Sequence, residues 1–249
     1  MIIGDLEPMV GDYVSVEQKV ADLLPEIWPT CCIPGDELPL EDEITKVLVE
    51  RLKEHPRGGR FLGPIIYQYA LLEELQIGDV VTKGIIDIAI LLDNDGALYV
   101  PFECKRLNLT DARGRVRSLA DLYVDEGMMR YVSAKYAEMV PLGVMIGYVM
   151  NGDVIKAEQA ILHAIEARKQ TLRLFGRGSG EQTRLLYKRL ITTHAREGDG
   201  GFFCIQHTLL PYPCSWPAKE ASCGQETTAP TKCGRRRLAA GHRRVKAKA

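Results

Sequence analysis

The chain of 249 residues has no apolar run of the 18 or more residues that a membrane-spanning helix needs. Its opening, MIIGDLEPMV, has early acids and no basic stretch, and so does not read as a secretion signal. The seven cysteines contain no C-x2-4-C pair of the kind structural zinc sites use. Cys204, His207, Cys214, Cys223, Cys233 and His242 supply metal-ligand residue types without that close spacing. An odd cysteine count with no leader predicts reduced thiols in the cytoplasm and no disulfide framework. The five histidines show no ligand spacing and are expected at the surface. FGRGSGEQ alternates glycines, but no P-loop lysine follows, so it reads as a loop after a helix. No internal repeat is visible.

What is present describes a globular protein, 46% hydrophobic and 26% charged. The net charge of −1 is unevenly spread. No acid follows Glu226, whereas Lys232, Arg235, Arg236, Arg237, Arg243, Arg244, Lys246 and Lys248 do. Without those eight, 24 basic residues face 33 acidic ones, and the body of the protein carries −9. A nucleic-acid partner must therefore meet a local basic patch or the C-terminal segment.

The pattern divides the chain into a helical and loop extension over 1–39, one α/β domain over 40–212, and a disordered basic tail over 213–249. Residues 15–27 predict a short helix capped by Ser15 and interrupted at Pro25. LEDEITKVLVERLKEH places Ile44, Val47, Leu48 and Leu52 at helical spacing, with acids in the first turn. A strand is expected around 61–69. KGIIDIAILL and ALYVPFECK are the clearest strands. Next come a long helix in SLADLYVDEGMMRYVSAKYAEMV and a strand in PLGVMIGYVMNGD apolar enough to be covered on both faces. VIKAEQAILHAIEARKQTLRLF predicts a further helix, and RLLYKRLITTHAR with FFCIQHTLLPY a late pair of strands.

Between the two clearest strands lies DNDG, residues 93–96. A three-residue loop with Gly96 in the left-handed conformation pairs 93 with 97, and therefore 87 with 103. Asp87 and Glu103 then face each other with Cβ atoms roughly 5 Å apart. Side chains alternate along a strand, so Lys105 shares their face. Facing carboxylates repel unless a cation lies between them, and oxygen ligands favour Mg²⁺. The competing reading is a solvated strand end. A second Glu-x-Lys, at Glu17–Lys19, lies in a helical pattern and has no such context.

GIIDIAILLDNDGALYVPFECKRLN resembles the core motif of the PD-(D/E)XK, or restriction-endonuclease-like, nuclease superfamily over roughly residues 40–170. Asp87, Glu103 and Lys105 match its acidic, acidic and lysine positions, while Ile86 stands where the motif has proline. The resemblance implies an αβββαβ core with a mixed central sheet flanked by helices. It implies Mg²⁺, with Mn²⁺ able to substitute, held by Asp87, Glu103 and the carbonyl of Cys104. The cation would acidify a water and polarise the phosphate, while Lys105 orients or helps deprotonate the nucleophile. Members often add a glutamate from the first core helix: Glu43 is the first candidate here and Glu50 the second, with a solvated face as the competing reading. DNA is the expected substrate, in restriction, defence or repair, and a homodimer is compatible, although no interface is legible.

Arg106, Arg113, Arg115 and Arg117 follow the motif and could touch phosphates, or could belong to an ordinary charged loop. Glu126, Arg130 and Lys135 could line the cleft, or could be surface positions. The basic tail could add DNA affinity by counterion release, or could simply solubilise. The alternative function is a degenerate nuclease fold that binds nucleic acid or a protein partner.

Overall fold

The computed structural model describes residues 7–35, 37–133, 140–179, 187–196 and 201–213. Lys135, His242 and the predicted tail beyond Pro213 lie outside these residues, as do Cys214, Cys223 and Cys233. The helices are α1 (Glu7–Ile27), α2 (Glu41–Glu54) and α3 (Gly58–Phe61), then α4 (Ala120–Leu122) and α5 (Met129–Val132) joined by a π-helical turn (Tyr123–Met128), and α6 (Val154–Ala167). The strands are β1 (Ile65–Gln76), β2 (Asp79–Leu91), β3 (Tyr99–Leu107), β4 (Leu109–Thr110), β5 (Val116–Arg117), β6 (Leu142–Val149), β7 (Leu174–Ser179), β8 (Lys188–Ala195) and β9 (Phe202–Pro211).

Seven strands form one mixed sheet in the order β1-β2-β3-β6-β9-β8-β7. β3, β6 and β9 run parallel, and the flanking pairs are antiparallel. The central strand, β6, is buried at all of its positions, as its continuous apolar sequence predicts. Apart from the one-turn α3 and the small β4–β5 hairpin, the elements from α2 to β6 run helix, three antiparallel strands, helical segment, strand. The protein is thus a mixed α/β fold with helices on both sheet faces.

One face carries α1 and α2. Trp28, just after α1, stacks on Tyr148 at 5.4 Å between ring centroids, and Thr45 of α2 hydrogen-bonds the Tyr148 hydroxyl at 3.1 Å. Ile44, Leu48 and Leu52 fill the space between α2 and the sheet, each contributing on the order of 2 kcal/mol by burial. The opposite face carries the π turn, α5 and α6. Gly143 and Gly147 of β6 permit this packing: a Cβ on Gly143 would lie 2.6 Å from the Tyr131 ring, and one on Gly147 would lie 2.7 Å from both Leu107 and Leu209.

Several local expectations are corrected. Ser15 lies inside α1 and caps nothing, because the helix already begins at Glu7. Pro25 does not end the helix: the Ala21 carbonyl that its missing N–H would have bonded accepts the Tyr187 hydroxyl instead, at 3.1 Å. β1 runs to Gln76, well past 69. The glycine-rich LFGRGS is the edge strand β7, held by β8. The helix predicted after Ser118 carries the π turn at Tyr123–Met128, which periodicity did not show. His194 and His207 are fully buried, not at the surface. Cys32 is disulfide-bonded, so the thiols are not all reduced, while Cys31, Cys104 and Cys204 are free. Among the described residues no helix is long and apolar enough to cross a membrane.

Candidate functional site

The predicted register is present: Ile88 pairs with Phe102 and Leu91 with Tyr99, so Asp87 falls opposite Glu103. Gly96 supplies the left-handed residue of the connection, at φ +72°. The β2–β3 ladder runs only from Leu91 and Tyr99 to Ile88 and Phe102, while β3 stays paired with β6 from Phe102 to Leu107. The two strands fork at Asp87, and the fork bares one edge of β3. Across β2 from Asp87, the register with β1 places Gln68, whose φ of +52° is a strained conformation for a residue with a side chain.

Carboxylates take over the bared edge. The Cys104 N–H donates to Asp87 Oδ2 at 2.7 Å, and the Arg106 N–H donates to Glu41 Oε2 at 2.8 Å. The Cys104 carbonyl accepts from Lys105 Nζ at 2.8 Å. The same ammonium donates to Glu103 Oε1 at 2.6 Å and to Glu41 Oε1 at 3.0 Å, and stands 4.0 Å from Asp87 Oδ2. From the helical face, Arg130 Nη1 donates to Glu103 Oε1 at 2.7 Å. Glu103 is fully buried and forms the floor, whereas the Asp87 and Glu41 side chains retain 17% and 29% exposure and form the rim.

The electrostatics follow from this crowding. Burial, and then repulsion from Glu103, push the Asp87 carboxyl up to about 7, although Lys105 and the Cys104 N–H pull the other way. For Lys105, burial alone would lower the ammonium's pKa, but Glu103, Glu41 and Asp87 outweigh it and hold the group above its ordinary value. Lys105 is therefore held as a charged donor while the three acids surround it.

Glu41, not Glu43 or Glu50, is the helix glutamate that reaches the fork. Glu43 is exposed and accepts the Leu40 N–H at 2.7 Å, and Glu50 is exposed on the outer face. A signal for Glu41 existed in the sequence: the buried stripe Ile44, Thr45, Leu48 and Leu52, extended one turn back, arrives at position 41. Arg130 is brought to the site, Glu126 is exposed, and the Arg106 guanidinium is turned to the Pro39 carbonyl at 2.8 Å. Arg113, Arg115 and Arg117 lie on the small β4–β5 hairpin and are exposed, with Arg115 bonded to Asp111. His207 is bonded to Thr192 and Tyr123 in the core, so it is not available to the Cys/His stretch named above.

The donors gathered in the fork are all hard oxygens, from Asp87, Glu103, Glu41 and the Cys104 carbonyl, the type Mg²⁺ and Mn²⁺ take. The Lys105 ammonium stands in for the cation at their centre, so the residues fit the group in kind. Among the described residues no three Asp, Glu, His or Cys side chains are disposed to hold a metal as they stand. The chain matches no protein-family model, no curated protein and no solved structure.

Proposed function

We propose that the protein is a divalent-metal-dependent nuclease of the PD-(D/E)XK type that hydrolyses phosphodiester bonds, with DNA as its substrate. The observation that carries this reading is the convergence of Glu103, Glu41 and the Cys104 carbonyl on the Lys105 ammonium at a strand fork, with Asp87 Oδ2 4.0 Å away. The order of α2, β1 to β3, the helical segment and β6 supports a restriction-endonuclease-like core.

Asp87, Glu103, Glu41 and the Cys104 carbonyl would hold Mg²⁺ or Mn²⁺. Bound there, the ion supplies Lewis-acid chemistry, acidifying a water and countering charge on the phosphate. Arg130 fixes the Glu103 carboxylate by its 2.7 Å hydrogen bond, so this donor does not reorganise during reaction. Lys105 donates a proton of its ammonium toward a phosphate oxygen and orients the attacking oxygen. Arg113, Arg115 and Arg117, exposed just beyond β3, hold neighbouring phosphates and offset the repulsion of the acidic body.

The test is cleavage of plasmid and single-stranded DNA by the full chain with Mg²⁺, Mn²⁺ or EDTA. Metal-dependent cutting that disappears in Asp87→Ala and Lys105→Ala is the expected result, and wild-type protein that cuts neither substrate refutes the proposal. One observation favours a second reading, a nuclease fold kept for binding: two of the three carboxylate charges in the cluster are already offset, by Lys105 and Arg130. DNA retained by protein that does not cut it would select that reading.

A further inference from the structure

The oxygen cage in the fork has a resident, and it is a cation. Lys105 Nζ makes three contacts of hydrogen-bond length, to Glu103 Oε1 at 2.6 Å, the Cys104 carbonyl at 2.8 Å and Glu41 Oε1 at 3.0 Å. These are the oxygens the proposed metal needs. An ammonium and a divalent ion cannot occupy the same point, and like charges held a few ångströms apart in a half-buried cleft repel strongly.

The geometry points to a cation exchange: Lys105 is the resident counter-ion of the cluster, and a divalent ion enters by displacing its ammonium to the rim. This inference rests on the metal-dependent reading above and adds how the site is held when unloaded. Three features make the exchange feasible. Glu103 is a buried floor, whereas Asp87 and Glu41 keep a solvent-facing side by which an ion can arrive. The lysine stem is a flexible four-carbon tether, so its head can move while β3 stays fixed by β6. Gly127 borders that stem: a Cβ there would lie 3.6 Å from Lys105 Cγ, so this position of the π turn sets no side chain against it. Once expelled, the ammonium lacks an anion, and a phosphodiester oxygen supplies one. Unloaded, the site spends its lysine on its own carboxylates; loaded, it presents that cation to substrate.

The experiment is a titration of Mn²⁺ alone into the full-length protein, read from the spectrum of free hydrated Mn²⁺. Wild type is compared with Lys105→Met, Lys105→Arg and Glu103→Gln. Removing the internal competitor should tighten Mn²⁺ binding in Lys105→Met by about tenfold or more, the scale of one charge-assisted hydrogen bond. Lys105→Arg keeps the charge and should stay near wild type, and Glu103→Gln should bind more weakly. Equal or weaker binding by Lys105→Met, with binding by wild type intact, overturns the exchange and leaves the metal centre standing. No Mn²⁺ bound by either protein overturns the metal centre itself, and the exchange with it. Should Lys105→Met be too unstable to titrate, its melting temperature carries the same test. Mn²⁺ must raise it by more than it raises that of wild type, and an equal or smaller rise overturns the exchange.

Discussion

Replacing Glu41 and Glu43 separately by alanine distinguishes the site residue from its acidic neighbour two positions along the same helix. Glu41 accepts from Lys105 Nζ at 3.0 Å and from the Arg106 N–H at 2.8 Å. Its loss leaves the Arg106 N–H without that acceptor inside the fork, a penalty of about 1–3 kcal/mol when water cannot replace it. It also removes a favourable charge from the first turn of α2, about 0.3–1 kcal/mol. Two terms reduce the total. The side chain is 29% exposed, so water enters in part, and removing one of three crowded acids relieves repulsion. The net expectation is a loss of about 2 kcal/mol. Glu43→Ala removes one exposed bond to the Leu40 N–H and should cost about 0.5–1 kcal/mol. Urea unfolding with an unchanged m-value reads both costs, and DNA cleavage reads the functional side. Glu41→Ala should lower metal-dependent cleavage by about 100-fold, the size of a lost charge-assisted contact, and Glu43→Ala should leave it close to wild type. If Glu43→Ala proves as damaging as Glu41→Ala in both assays, the assignment of Glu41 to the fork is wrong.

Glu17 of α1 and Arg189 of β8 form a nearly buried ion pair. Arg189→Met alone should cost about 3 kcal/mol in urea unfolding, while Glu17→Leu with Arg189→Met should come back near wild type, because a paired apolar replacement leaves no buried charge. Burial, and then the nearby His194, depress His207 to about 3, so the folded protein keeps it neutral while the unfolded chain protonates near 6.5. Stability from this group is complete above pH 6.5 and lost as pH falls toward 3, at about 1.4 kcal/mol per unit. Asp87, raised to about 7, acts in the opposite direction over the upper part of that range, so the readout is the difference between wild type and His207→Gln; parallel curves would refute it. Gly147→Ala places a methyl 2.7 Å from Leu107 and Leu209 and should cost about 1–3 kcal/mol in the same assay, whereas Gly178→Ala meets nothing within 4 Å and should be close to neutral.

The facing of Asp87 and Glu103 was legible in the sequence because it depends on two local rules only. These are the two-residue period of strands and a turn that needs glycine at position 96. The choice among Glu41, Asp42 and Glu43 was not legible from acidity, since all three are acidic. It depends on the phase of α2 about its axis, 100° per residue, and the buried stripe sets that phase. Pro25 misled because its cost is cancelled by Tyr187, distant in sequence. Glycines at 176 and 178 concealed β7, whose pairing is supplied by β8. The buried histidines depend on Thr192 and Tyr123 as partners, a tertiary fact that no local pattern carries.

The fork also separates two roles of Asp87 that are easily confused. A bared strand edge is a template for unwanted pairing, and here the Cys104 N–H is capped by Asp87 and the Arg106 N–H by Glu41. The same carboxylates concentrate the negative charge that calls for a cation, so edge protection and chemistry rest on one set of atoms. Asparagine at 87 keeps an acceptor for the Cys104 N–H but cannot be charged; alanine keeps neither. Because burial and Glu103 disfavour the Asp87 anion, its stabilising share is present at low pH and lost as pH rises from the unfolded carboxylate range through about 7. At pH 8, Asp87→Asn should therefore unfold at a higher urea concentration than wild type, while Asp87→Ala, which relieves the same repulsion but uncaps the Cys104 N–H, should be less stable than Asp87→Asn by about 1–2 kcal/mol. Both variants should lose metal-dependent cleavage. An asparagine variant less stable than wild type at pH 8 would mean that the charge, and not the hydrogen bond, holds the fork together.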